Sequence, residues 1–312
     1  MRIVFFGTPE LGIPSLALLK ARHELVAVVC QPDKEQGRGK KPAAPPVKRW
    51  ALEHGIVVQQ PEKLNDGRFE AWLREANPEI CVLAAYGRLL KQPILDVPLR
   101  GFLNIHPSLL PKYRGPSPVQ TAILNGDAVT GVTIMKVTLE MDAGPILLQE
   151  EMPIEADDTT LTLTERLAVR GAQLLIQGLE VIETGTALFV EQDHSKATYC
   201  KLFEKKDGLI NWNESAQHLH NLVRAAIPWP VAFSFYEGEM WRFFKSEVRN
   251  IETNRSLLPG TIIDVEKNAF LVNTGSGILA ITELQAQNKR RMPAAEFLRG
   301  RKITVGSRFQ SS

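Results

Sequence analysis

Residues 2–9, which read RIVFFGTP, are the stretch that decides the fold. Four consecutive apolar residues between an arginine and a glycine are typical of a short buried β-strand. Pro9 favours a helix start, because proline is tolerated in the first turn of a helix. Leucines from Leu11 to Leu19 then give the following segment one apolar face. A strand that leads directly into a helix is therefore predicted here.

The same alternation continues along the chain. Further β-rich runs follow at intervals of about 20 residues, with helical patterns between them. The predicted strands are Arg2–Gly7, Glu24–Cys30, Val57–Gln59, Ile80–Ala84 and Phe102–His106. Parallel strands joined by crossover helices are the usual solution for such an alternation. The sequence thus predicts an α/β fold with a doubly wound, mostly parallel, Rossmann-like sheet.

The first turn lacks a phosphate-binding motif. Gly7-Thr8-Pro9-Glu10-Leu11-Gly12 matches neither the dinucleotide nor the P-loop pattern, so we expect neither NAD nor ATP. Sheets of this type bind ligands beyond the carboxyl ends of their strands. Gly7, the segment 84–87 and the strand end 104–106 are therefore candidates for function.

A second domain is predicted after a long amphipathic pattern. This pattern, from Thr160 to Glu183, closes a first domain that we place at residues 1–189. Residues 190–205 lack sustained periodicity and are expected to form a linker. Residues 206–312 read as a helix at Ser215–Ala226 and then as short strands broken by turn residues. A small β-barrel is the expected architecture of this part.

Composition and charge narrow the class of protein. The 312 residues are 44% hydrophobic, as in ordinary globular proteins. Residues 1–205 carry 23 basic and 25 acidic side chains, whereas residues 206–312 carry 14 and 10. The C-terminal part is therefore +4 against −2, a difference that permits nucleic-acid binding without proving it.

Several classes of protein are disfavoured by the sequence. No apolar run approaches the roughly 20 residues of a membrane span, and the three cysteines lack the paired spacing of a disulfide framework. The histidines lack the i, i+4 spacing of a helical metal site. We expect a cytoplasmic protein without metal or membrane contact, and a monomer.

The densest chemical signal is Asn104-Ile105-His106 with the loop that follows it. Residues two apart on a strand project to the same face, so an amide and an imidazole converge there. Asp142 follows the apolar strand Val132–Val137 and would reach His106 if the two strands are neighbours. Histidines at strand ends are more often packed, and aspartates before Ala-Gly-Pro more often form turns. Spacing alone leaves both interpretations open.

These residues resemble the signature of the folate-dependent formyltransferases. The resemblance rests on the Asn-x-His strand, the loop 108–111, Tyr113-Arg114-Gly115, and Thr130–Thr133 leading to Met141–Gly144. It covers roughly the whole predicted first domain. Residues 31–41, Pro228-Trp229-Pro230 and the C-terminal domain, which resembles an OB-like β-barrel, are most similar to members of the group that act on tRNA.

The resemblance implies transfer of a formyl group from 10-formyltetrahydrofolate to the amino group of methionyl initiator tRNA. It assigns catalysis to Asn104, His106 and Asp142. Asn104 and a protonated His106 would donate hydrogen bonds to the negative charge that develops on the formyl oxygen. Asp142 would hold the imidazolium and could relay a proton through water.

Binding residues are implied in the same way. The implied folate-binding residues are Tyr86, Gly87, Leu89, Ser108, Leu109, Leu110 and Pro111. The implied tRNA-binding residues are Arg38, Lys40, Lys41, Lys289, Arg290 and Arg291. Such basic clusters are also common on surfaces that bind nothing, so a solvated loop is the competing interpretation for each.

Two other functions remain open from the sequence. The first is a formyltransferase that acts on a small amine, such as a purine-precursor ribonucleotide or an amino-sugar nucleotide. The second is a nucleic-acid-binding module that retains the scaffold without activity. The C-terminal domain and the loop at Arg38 argue against the first, and the joint presence of Asn104, His106 and Asp142 argues against the second.

Overall fold

The computed structural model describes residues 1–36, 41–254 and 256–310. The chain divides into two compact units that are not contiguous in sequence. The first unit contains Met1–Pro118, Val129–Pro153 and Thr164–Lys201, and the second contains Val119–Ala128, Ile154–Leu163 and Leu202–Ser312.

Helices and strands alternate in the first unit, and strands predominate in the second. The helices of the described chain are α1 (Ile13–Arg22), α2 (Pro46–Glu53), α3 (Arg68–Ala76), α4 (Gln92–Leu95), α5 (Pro118–Asn125), α6 (Thr160–Glu183), α7 (Ala216–Ala225) and α8 (Ala294–Gly300). The strands are β1 (Arg2–Gly7), β2 (Glu24–Val29), β3 (Lys34–Gln36), β4 (Lys41–Ala43), β5 (Val57–Gln59), β6 (Ile80–Ala84), β7 (Phe102–His106), β8 (Val129–Lys136), β9 (Ile146–Pro153), β10 (Ala232–Tyr236), β11 (Glu239–Arg249), β12 (Ile262–Val265), β13 (Phe270–Asn273), β14 (Ile278–Gln285) and β15 (Met292–Pro293). Short 3-10 helices occupy Glu10–Gly12, His194–Lys196 and Lys205–Gly208.

The first unit is built on a seven-stranded sheet with the order β5-β2-β1-β6-β7-β8-β9. The strands β5, β2, β1, β6 and β7 are parallel to their neighbours, and β8 and β9 complete the sheet as antiparallel strands. The predicted doubly wound, mostly parallel sheet is confirmed. All five strands predicted from the sequence lie in its parallel part.

The central strand β1 is buried on both faces. Its residues Ile3, Val4, Phe5 and Phe6 are fully buried, as expected for a strand in the middle of a parallel sheet. The Phe6 ring meets the ring of Phe102 edge-on with centroids 5.2 Å apart. Burial of one such side chain stabilises the fold by roughly 1.5–3 kcal/mol. The apolar run at the start of the sequence therefore supplies the centre of this core.

The loops after β1, β2 and β6 are tied together at the carboxyl edge of the sheet. The chain leaves β1 toward β2 on one side and later returns to β6 on the other, so the topological switch point lies between β1 and β6. The Thr8 hydroxyl donates to the Tyr86 carbonyl at 3.1 Å, and Gln31 Nε2 donates to the same carbonyl at 2.8 Å. These bonds hold the edge at which ligands bind in such sheets.

Residues 190–201, expected to belong to a linker, instead form part of the first unit. Val190 exchanges two backbone hydrogen bonds of 2.8 Å with Ile146, and Tyr199 pairs with Arg114. Backbone pairing over one or two residues leaves no apolar periodicity in the sequence. The pattern therefore gave no sign that this segment packs against the sheet.

The second unit contains an antiparallel sheet with the order β10-β11-β14-β13-β12, and β15 pairs with β14. The terminal segment 306–310 bonds to both ends of this order: Gln310 exchanges backbone hydrogen bonds with Phe235 on β10, and Ile262 on β12 donates to Ser307. Such a connection is compatible with the predicted OB-like barrel, which stays a prediction.

An aromatic cluster forms the centre of the second unit. It contains Trp212, Trp241, Phe243, Phe270 and Phe309. Trp212 donates to the Ser234 hydroxyl at 2.9 Å, which satisfies its buried indole N–H.

Among the described residues, no helix has the length and apolar character to cross a membrane.

Candidate active site

The predicted Asn104 and His106 lie on β7, next to the point where the parallel part of the sheet meets its antiparallel part. Both side chains are buried, with residue exposures of 7% and 4%. The antiparallel neighbour β8 leads into the loop that carries Asp142. Adjacent strands therefore bring the predicted residues to one place although 36 positions separate His106 from Asp142 in the sequence.

One oxygen of Asp142 is the meeting point of the three predicted catalytic residues. Asn104 Nδ2 donates to Asp142 Oδ1 over 3.4 Å, and His106 Nδ1 lies 3.7 Å from the same oxygen. The other oxygen, Oδ2, accepts a 2.9 Å hydrogen bond from the Gly115 amide. The amide, the imidazole and the carboxylate thus form one cluster.

The second nitrogen of His106 fixes how this ring can act. His106 Nε2 lies 3.0 Å from the carbonyl oxygen of Tyr113. A carbonyl oxygen only accepts, so Nε2 carries a hydrogen. The nitrogen that faces Asp142 is then Nδ1, which accepts a hydrogen bond in the neutral ring and donates one in the protonated ring. Proton gain or loss at His106 consequently occurs beside the carboxylate.

Two glycines allow the chain to approach this cluster closely. Gly115 has a φ of +117°, and a Cβ atom there would lie 2.5 Å from the Cys200 carbonyl oxygen. A Cβ on Gly144 would lie 1.9 Å from the Lys136 carbonyl oxygen. Both positions exclude any side chain. The glycines therefore set how near the Asp142 loop comes to β8 and how the Gly115 amide reaches Asp142.

Two further residues hold the Asp142 loop, and the sequence did not assign either of them a role. Gln192 Nε2 donates to the carbonyl oxygens of Asp142 at 2.9 Å and of Gly144 at 2.7 Å. Arg114 donates to Gln192 Oε1 from Nε at 3.1 Å and from Nη2 at 2.8 Å. Gln192 lies 50 positions from Asp142 in a segment without periodicity, so no local signal identifies it.

A capped turn follows Gln192. Asp193 Oδ1 accepts from the Ser195 amide at 3.1 Å and from the Ser195 hydroxyl at 2.6 Å, and Lys196 Nζ lies 3.0 Å from its Oδ2. These bonds, chiefly the one from the Ser195 side chain, lower the pKa of Asp193 to about 2. The carboxylate therefore stays ionised at neutral pH, and the cap persists beside Gln192.

The predicted folate loop 108–111 is held by side chains of β8 and β9. The Thr133 hydroxyl donates to the Ser108 carbonyl at 2.6 Å and accepts from the Leu110 amide at 3.2 Å. Gln149 Nε2 donates to Thr133 Oγ1 at 2.8 Å and to the Leu110 carbonyl at 2.9 Å. Gln149 was not recognised in the sequence, because one glutamine on an otherwise alternating strand gives no motif.

Individual residues of the predicted folate set differ in exposure. Ser108 is fully buried, and its hydroxyl donates to the Lys112 carbonyl. Leu110 is also buried, whereas Leu89 is 74% exposed. Leu109 packs toward Gly131, and Pro111 accepts a backbone hydrogen bond from Thr198.

Tyr86, one of the implied folate-binding residues, has its ring and its backbone in different surroundings. This ring is fully buried in the core, with its centroid 5.5 Å from that of Phe6. Burial raises the pKa of Tyr86 above its usual value. The backbone of Tyr86 lies at the sheet edge, and Gly87 follows it with a φ of +76°. The ring therefore belongs to the aromatic core around Phe6, and the backbone of Tyr86 is the part that lies at the sheet edge.

The predicted tRNA-binding residues fall into two groups. Arg38 and Lys40 lie outside the described residues, and the Lys41 backbone pairs with Gln36 in the β3-β4 hairpin. Arg290 and Arg291 are exposed and form ion pairs with Glu296 and Glu283.

Cys30, Cys81 and Cys200 are free thiols and are buried. Within residues 1–36, 41–254 and 256–310, no group of three or more histidine, cysteine, aspartate or glutamate side chains could hold a metal ion.

Known protein families match both parts of the chain. Residues 1–179 match the family described as formyl transferase, and residues 203–302 match the formyl transferase C-terminal domain. Methionyl-tRNA formyltransferase of Acetivibrio thermocellus is 46% identical over 307 residues, covering 98% of each chain. The protein of the same name from Thermodesulfovibrio yellowstonii is 45% identical over 305 residues, covering 97% of each chain.

A solved structure has the same fold at lower identity. The N-formyltransferase from Helicobacter canadensis, in complex with folinic acid and dTDP-3-aminofucose, superimposes with a TM-score of 0.68 at 21% identity. The match covers 90% of the present chain and 99% of that one. Together with the family match over more than half of its residues, these similarities establish that the chain belongs to the formyl transferase family.

Proposed function

We propose that the protein transfers the formyl group of 10-formyltetrahydrofolate to the amino group of methionyl initiator tRNA and so supports translation initiation. The observation that carries the proposal is the meeting of Asn104 and His106 at one oxygen of Asp142. The relatives named methionyl-tRNA formyltransferase support the choice of substrate, because they match the present chain at 46% and 45% identity over nearly its full length.

The reaction requires an acceptor for negative charge. The amine nitrogen attacks the formyl carbon, the bond between that carbon and N10 breaks, and a proton passes from the amine to N10. Charge develops on the formyl oxygen during the attack. The Asn104 amide lies at a long 3.4 Å from Asp142, so its N–H can turn to a better acceptor when one arrives. Loss of one such donor typically costs about 10²–10³ in turnover.

His106 would supply the second donor from Nδ1. Its Nε2 is engaged with the Tyr113 carbonyl, so Nδ1 donates only when the ring is protonated. Asp142 Oδ1 lies 3.7 Å from Nδ1 and would accept the hydrogen bond that the protonated ring donates. The same carboxylate can accept the proton that the attacking amine loses and return it through water to N10.

The folate co-substrate would bind between the loop 108–111 and the segment from Gly87 to Leu89. A flat heterocycle with donors and acceptors on its edge needs backbone partners and an apolar face. The backbone amides of Gly87 and Leu89 have no acceptor among the described residues, and the Leu89 side chain is exposed. In this proposal Ser108, Leu109, Leu110 and Pro111 line the slot, and Tyr86 contributes only backbone.

The tRNA would be held by basic groups at two places on a monomer. Arg38, Lys40 and Lys41 would approach the acceptor end of the tRNA, and Lys289, Arg290 and Arg291 would contact phosphates elsewhere. Positioning of the methionyl group is sensitive, since a misplacement of about 1 Å can cost around 10² in rate. We therefore expect Arg38→Ala to lower kcat/KM for charged tRNA and to leave the KM of the formyl donor nearly unaltered. An unchanged kcat/KM at low and moderate salt would remove Arg38 from the proposal.

The direct test combines the protein with 10-formyltetrahydrofolate and methionyl initiator tRNA. Mass measurement of the released aminoacyl group should show the addition of one CO, matched by an equal amount of tetrahydrofolate. A purine-precursor amine and an amino-sugar nucleotide serve as competing acceptors. Preferential formylation of either small amine would overturn the tRNA assignment. Binding of tRNA without release of tetrahydrofolate would instead indicate a binding module.

A further inference from the structure

Asp142 occupies the left-handed backbone region, which is uncommon for residues other than glycine, although aspartate enters it more readily than most. Its φ is +53°, a conformation that persists where the surrounding structure holds it. The direction of its carboxylate therefore depends on whatever fixes the loop. At the side chain, the Gly115 amide donates the shortest hydrogen bond to the carboxylate, at 2.9 Å, against 3.4 Å for the bond from Asn104.

A second anchor acts on the backbone of the same loop. Gln192 uses one nitrogen to bridge the carbonyl oxygens of Asp142 and Gly144, and its residue exposure is only 5%. Buried side-chain amides are rarely left without hydrogen-bond partners. Any change in the orientation of Gln192 is therefore transmitted to Asp142.

The orientation of Gln192 is fixed in turn by Arg114. The Arg114 side chain is fully buried, and its Nε and Nη2 atoms form a fork on Gln192 Oε1. A single acceptor held by two donors leaves the opposite end of the amide, Nε2, pointing at the Asp142 loop. Arg114 also precedes Gly115, whose amide holds the Asp142 carboxylate. The Gly115 amide and the Arg114 side chain that orients Gln192 thus belong to two consecutive residues.

The buried charge of Arg114 receives little compensation from carboxylates. Its Nη1 atom has no hydrogen-bond partner within the described residues, and the ion-pair partner given by the structure, Glu140, lies 3.5 Å away with 65% of its side chain exposed. A fully buried guanidinium is costly to fold. Since buried ionic groups can often be replaced by apolar residues without loss of stability, the presence of Arg114 beside the catalytic loop favours a role in function.

We propose that Arg114 and Gln192 are positioning residues, which aim the Asp142 carboxylate at His106 and Asn104 through the backbone of residues 142–144. This inference rests on the proposed formyl transfer, because it assigns these residues a part in that reaction. Neither residue touches the substrate in this scheme. Their loss should therefore lower kcat with little change in KM, since the binding of both substrates is left intact.

Gln192→Glu is the sharpest variant. It retains an oxygen for the Arg114 fork but replaces the Nε2 donor with an oxygen that repels the carbonyls of Asp142 and Gly144. We expect kcat for the formylation of methionyl initiator tRNA to fall about 10- to 100-fold, with both KM values within about twofold of the parent. Gln177→Glu, at an exposed position on α6, makes the same exchange outside the network and should retain full activity.

A double-variant cycle separates positioning from general destabilisation. In an Asp142→Ala background, Gln192→Glu should change kcat by less than about twofold, because the group that it positions is already absent. Arg114→Lys provides a second route, since lysine retains the charge but loses the fork. Arg114→Lys should lower kcat, and adding Gln192→Glu to it should change kcat by less than about twofold further. Thermal unfolding of each variant shows that it is folded.

The outcomes distinguish the two proposals. Absence of formylation by the parent protein would overturn the proposed function and the positioning role together. With an active parent, a Gln192→Glu variant of normal kcat would overturn the positioning role alone. The same conclusion would follow if the variant raised KM rather than lowering kcat, or if its effect persisted at full size without Asp142. Reduced kcat that disappears in the Asp142→Ala background would support the proposal.

Discussion

Two groups of polar side chains lie in opposite surroundings. The Asp142 cluster belongs to the first unit, and the basic cluster of residues 289–291 belongs to the second. At the first, Asn104 and His106 are buried and only 15% of the Asp142 side chain is exposed, so their polar atoms depend on particular neighbours. At the second, the side chains are exposed to solvent. The effect of a polar group on stability and activity therefore depends on whether water can replace its partner.

The energies follow from this contrast. Exposed ion pairs such as Arg290 with Glu296 and Arg291 with Glu283 each contribute roughly 0–1 kcal/mol. A buried group that loses its partner costs about 1–3 kcal/mol, and more if it is charged. Single substitutions should therefore have large effects near Asp142 and small ones at the basic cluster.

The largest effect is expected for the three clustered residues themselves. Asn104→Ala, His106→Ala and Asp142→Ala should each lower turnover by about 10² or more, because these groups act on the transition state. Binding of tRNA, measured by filter retention, should remain nearly unchanged. A variant with near-normal turnover would exclude that residue from the catalytic set.

The second prediction concerns the coupling between His106 and Asp142. Their double alanine variant should lose much less activity than the product of the single losses, since both residues act on one developing charge. Single-turnover kinetics of the parent and the three variants give the coupling directly. If the loss of activity in the double variant equals the product of the two single losses, Asp142 does not act through His106 and the two residues function independently.

A smaller effect is expected one step away from the cluster, at Gln149. Gln149→Leu removes the donors that hold Thr133 and the Leu110 carbonyl, which loosens the loop 108–111. We expect the KM for 10-formyltetrahydrofolate to rise about 10-fold, with a smaller change in kcat, as for the loss of uniform binding. An unaltered KM would mean that this loop does not line the folate slot. Gln173→Leu on the outer part of α6 serves as a glutamine control, because Gln173 is exposed.

The smallest effects are expected at the basic cluster. Arg291 donates twice to Glu283, at 2.7 and 2.8 Å, and lies over the Phe244 ring, whereas Lys289 forms no ion pair among the described residues. Lys289→Ala should therefore weaken tRNA binding a few-fold and reduce the slope of log affinity against log salt by about 1, as for one phosphate contact.

Arg291→Ala provides the comparison within the cluster. Loss of the Glu283 pair and the ring contact should destabilise the fold by about 0.5–1 kcal/mol, with a smaller change in the salt slope than Lys289→Ala. Thermal unfolding and salt-dependent binding measure the two quantities. Equal salt slopes for both variants would show that Glu283 releases Arg291 to the tRNA.

Much of the scaffold could be read from local patterns. The strands at Arg2–Gly7, Val57–Gln59, Ile80–Ala84 and Phe102–His106 and the helix at Thr160–Glu183 have the bounds that periodicity predicted. Such patterns are reliable because a strand or helix that buries one or both faces must repeat apolar residues at its own period. The placement of Asn104 and His106 on the same face of a strand followed from their spacing of two residues.

Other features depend on contacts that no local pattern records. Gln192 reaches Asp142 across 50 residues, Arg114 is buried despite its charge, and the Tyr86 ring turns into the core. Each is decided by which segments the sheet brings together and by the space that remains between them. The spacing of apolar residues shows which face of a segment is buried. A single polar contact depends on a residue of another segment, so the local sequence does not show it. The sequence alone therefore determined the sheet and the residues at its edge, and the tertiary structure decided which of them are held in place and by what.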